Sequence, residues 1–211
     1  MDLDGTLYEK RKEEMADLAS RKLAHRYLKK NGVLQKMPMS EIKRIDKSME
    51  RGSVTMSLRH LSGKYGIDLK EVETFAYDIY PRDFGIARDA ELVRLLTALS
   101  KRYKLVVFTN GYDLWAGRAL KALGISHLIK KGMIISPMHL KNYLKPEQGA
   151  FRIMLKRTGL KGNEVIFLDD KMPNIIKARE MGIKSMLVKN MGRGKRNSIH
   201  SILKRIEYDV K

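Results

Sequence analysis

Apolar and polar residues alternate in blocks along the second half of the chain, from about residue 89 onward. The runs KLVVFTNG, GMIISP, EVIFLDD and KSMLVKN are mostly apolar until they reach polar residues, which is typical of strands buried on both faces. Amphipathic stretches flank these runs, and one of them, DAELVRLLTALSKRY, places leucines at helical spacing at Leu92, Leu95, Leu96 and Leu99. The alternation predicts an α/β fold with a parallel sheet covered by helices on both faces.

The segment from about residue 10 to residue 85 has a different pattern, with helical periodicity and no strand-like alternation. Its first stretch, RKEEMADLASRKLAHRYLKKNGV, predicts a helix that ends at Asn31-Gly32. The apolar face predicted for that helix consists of Met15, Leu18, Leu23, Tyr27 and Leu28. Further short helical stretches follow until Pro81, so the segment predicts a small helical module.

The composition describes a globular protein: 43% of the 211 residues are hydrophobic and 32% are charged. No apolar run reaches the roughly 20 residues that span a bilayer, and MDLDGTLYEK predicts no secretory signal, so we expect a cytoplasmic protein. Cysteine is absent, which excludes disulfides, thiol catalysis and thiolate metal sites. Any metal is therefore expected to be a hard cation on oxygen ligands or one held by the few histidines.

The formal net charge of +19 favours anionic partners, which include phosphorylated substrates, nucleic acid and membrane surfaces. The basic residues are spread along the whole chain, and no zinc-finger or RNA-binding aromatic signature accompanies them. A solvated basic surface is therefore favoured over a dedicated nucleic-acid site.

Polar residues stand where several predicted strands stop, and ligands of parallel sheets bind beyond the carboxyl ends of the strands. These stops are Asp2-Leu3-Asp4, Thr109-Asn110-Gly111 and Asp169-Asp170. Each stop alone also fits an ordinary turn or a helix cap. Together they predict one site at one edge of the sheet, where a cation or a proton must offset the repulsion between Asp2 and Asp4.

The motifs DLDGT, VVFTN, LKP and VIFLDDKMPN, in this order, resemble those of the haloacid dehalogenase superfamily, most of whose members are phosphatases. The stretches GTLY, YPRD, FTNG and LKPEQGAF are similar to the pyrimidine 5′-nucleotidase subgroup. The resemblance implies a Rossmann-like core formed by residues 1–9 and 86–211. It also implies that residues 10–85 are a helical cap inserted after the first strand.

Within this resemblance, Asp2 is expected to be the nucleophile that forms an aspartyl-phosphate, and Asp4 the general acid and then the general base. A Mg²⁺ ion is expected on Asp2, the backbone carbonyl of Asp4, and the Asp169 and Asp170 pair, with Asp170 favoured as the direct ligand. An acid two residues after the nucleophile is implied for phosphatases and not for dehalogenases. Asp4 therefore predicts hydrolysis of a phosphomonoester.

Other residues are expected to hold the phosphoryl group. Thr109 would donate to a phosphoryl oxygen with help from the amides around Asn110 and Gly111, and Lys145 would place a positive charge on the phosphate and lower the pKa of Asp2. Asn174 would tether the loop of Asp169 and Asp170, or alternatively be a polar residue at a helix start.

A cap that closes over the site favours a small phosphorylated metabolite, such as a nucleoside monophosphate, as substrate. Sugar phosphates, phosphoglycolate and a non-catalytic RNA-binding role on a disabled scaffold remain alternatives. The cap residues proposed to face the site are Arg51, Ser53, Thr55, Arg59 and His60.

Only Met1 precedes Asp2, so the first strand of the sheet is short and its α-amino group is expected to add a cation beside the nucleophile. We expect that the natural chain starts upstream or that this form is impaired. A short apolar N-terminal extension is then expected to raise stability and activity.

Overall fold

The computed structural model describes residues 1–51, 61, 63–141, 143–189 and 197–208. Its strands are β1 (Val107–Phe108), β2 (Ile134–Ile135), β3 (Ile166–Asp169) and β4 (Lys184–Leu187). β1 pairs with β2 and β3 pairs with β4, both in parallel. Each strand lies inside one of the predicted apolar runs, although it is shorter than the run.

The first two residues of the chain join these two pairs of strands. The amide of Phe108 donates to the carbonyl of Met1 over 2.9 Å, and the amide of Asp2 donates to the carbonyl of Leu168 over 2.8 Å. Residues 1–2 therefore lie between β1 and β3, which gives the order β2, β1, residues 1–2, β3, β4. The α-amino group of Met1 donates to the carbonyl of Val106 over 2.9 Å.

Helices cover both faces of this sheet. Neighbouring strand residues point to opposite faces, and Val107 and Leu168 belong to one apolar cluster while Phe108 and Phe167 belong to the other. The helices of the core are α4 (Ala90–Ser100), α5 (Asp113–Leu123), α6 (Gln148–Thr158), α7 (Met172–Glu180) and α8 (Ile199–Tyr208). The predicted α/β fold is therefore confirmed.

The leucine stripe of α4 is buried as predicted, because it faces the larger apolar cluster together with α8. The side chain of Asp89 begins this helix by accepting from the amide of Leu92 over 3.0 Å. On the opposite face of the sheet, the rings of Phe108 and Phe151 meet edge to face with centroids 5.2 Å apart. Phe151 belongs to α6, so this contact fixes that helix against the strands.

The segment between residue 10 and residue 85 contains α1 (Lys10–Lys30), α2 (Met39–Arg51) and α3 (Leu69–Ala76). Pro81 begins a short 3₁₀ turn, Pro81–Phe84, that leads back to the core. The division into a core and a cap at these boundaries stays a prediction.

The buried face of α1 differs from the predicted one. Met15 and Leu18 are about half exposed, at 48% and 49%. The buried positions follow a four-residue spacing of small side chains, with Ala16, Ser20 and Ala24 ahead of the predicted Tyr27 and Leu28. Small residues bring α1 close to its neighbours, so a pattern read from large apolar side chains alone gave the wrong face for its first half.

An apolar cavity of about 240 Å³ lies below Met1, at the amino ends of β1 and β3. Its lining includes Met1, Val106, Ile166, Leu99 and Leu203. None of the helices in the described part of the chain is both long and apolar enough to cross a bilayer.

Candidate active site

A cavity of about 540 Å³ opens where the polar stops of the strands converge. The sequence-predicted residues that line it are Asp2, Asp4, Thr109, Asn110, Gly111, Lys145 and Asn174. Asp169 and Asp170 stand next to it, where Asp169 is joined to Lys145 by a hydrogen bond. The structure therefore brings together residues that are up to about 170 positions apart in the sequence. The side chain of Arg51 and residues Ser53, Thr55, Arg59 and His60 lie outside the described part of the chain.

Lys145 is the centre of this group of charges. Its Nζ donates to Oδ1 of Asp2 over 2.7 Å and to Oδ2 of Asp169 over 2.8 Å, and only 1% of its side chain is exposed. Burial favours the neutral amine, but the carboxylates of Asp169 and Asp2 outweigh it and raise the pKa of Lys145. Lys145 is therefore a charged residue that holds two carboxylates together in the protein interior.

Asp2 is buried at 4% exposure beside this ammonium. Burial raises the pKa of Asp2, an effect that Lys145 opposes and Asp169 reinforces. The expectation that Lys145 lowers the pKa of Asp2 is thus correct for the direction of that one interaction, but burial decides the net shift. One ammonium faces two carboxylates, so a further positive charge would stabilise the ionised form of Asp2.

The α-amino group of Met1 was expected to add such a charge, and the structure corrects this. Burial, reinforced by Lys145, lowers the pKa of that amino group to about 5. The amine is therefore mostly uncharged at neutral pH and adds little positive charge beside Asp2.

Asp4 is held by side chains from separate parts of the chain. Its Oδ1 accepts from the hydroxyl of Tyr8 and from Nε1 of Trp115, the latter over 2.8 Å. Its Oδ2 accepts from Oγ1 of Thr109 over 3.1 Å. A Cβ at Gly111 would lie only 2.9 Å from that Oδ2, so glycine at this position leaves room for the carboxylate. Sequence reasoning missed Tyr8 and Trp115, although Trp115 lies in the first turn of the helix after β1.

The side chain of Asn110 fixes the loop of Lys145 and does not point to an incoming ligand. Its Nδ2 donates to the carbonyl of Lys145 over 2.9 Å, and its Oδ1 accepts from the amide of Lys145 over 3.0 Å. The amide of Gly111 donates to Oγ1 of Thr109 over 2.9 Å. The loop after β1 therefore positions both Thr109 and Lys145.

Asp169 and Asp170 differ in how completely their oxygens are paired. Asn174 donates to both oxygens of Asp169 over 2.9 Å and 3.0 Å, and the amide of Lys171 donates to Oδ1 over 2.8 Å. In contrast, Oδ1 of Asp170 is buried without a hydrogen-bond partner among the described residues. Burial also raises the pKa of Asp170. Such an oxygen is costly unless a ligand pairs with it.

The carboxylates of Asp2, Asp169 and Asp170 form a group that fits a hard cation. Each offers an oxygen, and these atoms all lie within 4.8 Å of one another. Oxygen ligands of this kind suit Mg²⁺. The unpaired oxygen of Asp170 and the excess of carboxylates over Lys145 both point to a missing positive charge.

Two further acids from α1, Glu13 and Asp17, line the same cavity and were not predicted. Burial, with the charge of Asp4, raises the pKa of Glu13 to about 8 and that of Asp17 to about 6. Lys171 reaches Oε1 of Glu13 at 3.5 Å. Their four-residue spacing on a charged helix resembles any solvated face, so the sequence carried no signal for them.

Comparison with solved structures shows the same fold in other proteins. A 2-haloacid dehalogenase from Pseudomonas syringae pv. Tomato DC3000 matches all of this chain and 97% of its own, with 17% identity and a TM-score of 0.57. A haloacid dehalogenase-like hydrolase from Streptococcus pneumoniae matches 100% and 96%, with 17% identity and a TM-score of 0.54. The HAD-hydrolase YfnB from Bacillus subtilis, solved bound to magnesium, matches 92% of each chain, with 17% identity and a TM-score of 0.51. At this identity the likeness concerns the fold.

The sequence itself supplies the family. Residues 1–188 match the haloacid dehalogenase-like hydrolases, and this span contains every strand described above and the cavity at their carboxyl ends. The chain therefore belongs to the haloacid dehalogenase-like hydrolase family.

Proposed function

We propose that this protein is a Mg²⁺-dependent phosphomonoester hydrolase that acts through an aspartyl-phosphate. The observation that carries the proposal is the place of Asp4: its carboxylate lines the cavity that holds Asp2 and is fixed there by Thr109 and Trp115. Hydrolysis of a phosphomonoester needs an acid beside the nucleophile, because the leaving alkoxide must be protonated. The displacement of a halide has no such need.

Asp2 and Asp4 divide the chemistry between them. A carboxylate oxygen of Asp2 attacks phosphorus while the bond from phosphorus to the leaving oxygen breaks, and Asp4 gives its proton to that oxygen. Water then attacks the aspartyl-phosphate, Asp4 takes up the proton of the water, and inorganic phosphate leaves. This second step regenerates the carboxylate of Asp2.

The other predicted residues serve to bind and orient the phosphoryl group. Thr109 and the amides around Gly111 supply hydrogen-bond donors at the end of β1. Lys145 supplies positive charge and, through its bond to Oδ1, fixes the carboxylate of Asp2. Asn174 holds Asp169 in place through both carboxylate oxygens.

Asp2, Asp170 and the backbone carbonyl of Asp4 would hold the Mg²⁺ ion, with Asp169 beside them. We favour Asp170 as the direct ligand, because the oxygens of Asp169 already accept from Lys145 and Asn174. When bound, the ion neutralises negative charge on the phosphoryl group and on the carboxylates.

For the substrate we propose a nucleoside monophosphate or a phosphorylated metabolite of similar size. A cavity of about 540 Å³ is of the size that encloses small molecules. The resemblance to pyrimidine 5′-nucleotidases supports the nucleotide, while sugar phosphates and phosphoglycolate are the alternatives. In this proposal residues 10–85 are the cap over the site, and α1 contributes Glu13 and Asp17 to its wall.

Hydrolysis of p-nitrophenyl phosphate, measured with Mg²⁺ and with EDTA, tests the proposal. We expect turnover that requires the metal and is abolished by Asp2→Asn, a change that keeps the shape of the side chain. Halide release from 2-chloropropionate is measured in parallel, since one structural relative is named as a 2-haloacid dehalogenase. Halide release without phosphate release would contradict the proposal. The absence of both activities, with nucleic-acid affinity that falls steeply with salt, would favour the non-catalytic alternative.

A further inference from the structure

We propose that Trp115 and Tyr8 are positioning residues that hold Asp4 by its Oδ1, so that Oδ2 is the oxygen that exchanges protons with the substrate. This inference rests on the proposed function, because it assigns an orientation to the general acid. It concerns residues that the motifs of the sequence do not include.

The first argument is the arrangement of donors around Oδ1. Nε1 of Trp115 lies 2.8 Å from Oδ1 of Asp4 and 3.1 Å from the hydroxyl of Tyr8, which itself donates to the same Oδ1. An indole N–H can donate but cannot accept. A proton on Oδ1 would therefore face the N–H of Trp115, and the two hydrogens would repel each other.

The second argument is the place of the other oxygen. Oδ2 of Asp4 accepts from Oγ1 of Thr109, and it lies beside Gly111. A hydroxyl can both donate and accept, so Thr109 tolerates Oδ2 in either protonation state. Thr109 and Gly111 line the cavity, whereas Tyr8 does not. The oxygen that is free to carry a proton is thus also the one on the side of the substrate.

The third argument is that the two donors are themselves held firmly. The side chains of Trp115 and Tyr8 are buried, at 4% and 6% exposure. The ring of Phe84 meets the indole edge to face at 6.2 Å. Because packing fixes the indole, its N–H is directed at Asp4 before any substrate binds, which is the property of a preorganised site.

The functional test uses phosphate esters whose leaving groups differ in basicity. In Trp115→Phe and Tyr8→Phe we expect kcat for alkyl and phenyl phosphates to fall about tenfold or more, because these leaving groups need a proton. Turnover of 2,4-dinitrophenyl phosphate should change by less than about threefold, because its leaving group departs without one. KM should change little in either case.

Phe84→Leu is the matched control, since it alters the packing of Trp115 and keeps the N–H. We expect its rates to change by similar factors for all esters. If Trp115→Phe and Tyr8→Phe also slowed all esters equally, their role would be structural and the proposal would be wrong. Circular dichroism spectra establish that each variant is folded.

A second measurement does not depend on enzymatic activity. Trp115 is the single tryptophan of the chain, so a ¹⁵N-labelled sample gives one indole N–H resonance. We expect this resonance to move upfield in Asp4→Ala and, to a smaller extent, in Asp4→Asn and Tyr8→Phe. Asp17→Asn, an acid of the same cavity, should leave it nearly unchanged.

These outcomes separate the two proposals. A protein without phosphatase activity whose indole resonance responds to Asp4→Ala would contradict the proposed function and retain the contact between Trp115 and Asp4. An indole resonance that is the same in wild type and in Asp4→Ala would overturn the positioning role, whatever the activity.

Discussion

Buried charge is the main energetic cost that single residues bring to this protein. Lys145 offsets it for Asp2 and Asp169 through hydrogen bonds of 2.7 Å and 2.8 Å. Glu13 is less well compensated, because Lys171 reaches only one of its oxygens, and the other is buried without a hydrogen-bond partner among the described residues. A carboxylate in that position is more stable when protonated.

This difference leads to a prediction for Glu13→Gln. The pKa of Glu13 is about 8 in the folded protein, against a reference value of 4.5. Below the lower value both states bind the proton, so the carboxyl group adds no pH dependence. As the pH rises toward 8 the unfolded state ionises first, and the folded state loses stability. The variant should therefore be more stable than the wild type by about 2 kcal/mol at pH 8.5 and nearly equal at pH 4.5.

Urea denaturation at both pH values measures this effect. Glu14→Gln is the control, because Glu14 is the exposed neighbour of Glu13 on α1. If the two variants showed the same pH dependence, the burial of Glu13 would not be its cause.

At the scale of secondary structure, the order of elements could be predicted because the apolar runs end in polar residues. The carboxyl ends of parallel strands meet at one edge, so Thr109 and Asp169 could be expected near Asp2. The aromatic donors to Asp4 could not be predicted, since Tyr8 and Trp115 look like ordinary core residues in the sequence. The buried face of α1 was missed for a related reason, because Ala16 and Ala24 carry little hydrophobic signal.

The central part of the sheet is the element most open to improvement. Residues 1–2 are its link between β1 and β3, and an apolar cavity of about 240 Å³ lies below them. We predict that an extension such as Val-Ile-Val-Ile before Met1 will continue this link and fill the cavity. Burying two more large apolar side chains is worth roughly 3–6 kcal/mol before the cost of ordering them, so Tm should rise by several degrees.

Differential scanning calorimetry compares this form with the original chain and with a Gly-Ser-Gly-Ser extension of equal length. The polar extension should not raise Tm, because it cannot fill an apolar cavity. Equal Tm values for the two extended forms would show that the cavity does not accept a strand. An accompanying rise in turnover is expected, because the extension moves the amine away from Asp2.

For the whole molecule, the high positive charge and the acidic cavity stand in contrast. The net charge is +19, yet the cavity gathers Asp2, Asp4, Glu13 and Asp17 in its wall. An overall positive field attracts phosphorylated substrates from solution, while the local excess of carboxylates favours a divalent cation. The two features together are consistent with a substrate that meets a bound metal ion.

This leads to a prediction for the stability of the complete protein. At a Mg²⁺ concentration 100 times its Kd, binding to the folded state should raise Tm by about 5–10 °C. Asp170→Asn should abolish most of this rise, because Asp170 carries the unpaired oxygen of the cluster. Asp17→Asn should retain it. A rise that survives in Asp170→Asn would place the ion elsewhere.

The hydrogen bond from the amino terminus to the carbonyl of Val106 has a practical consequence. Any acyl group, purification handle or cleavage scar attached to that nitrogen is anchored two residues from the proposed nucleophile, inside the fold. Tyr208, at the end of α8, is 68% exposed and therefore offers a safer attachment point. Preparations that differ only in which end carries the handle should thus differ in melting behaviour and in catalytic competence.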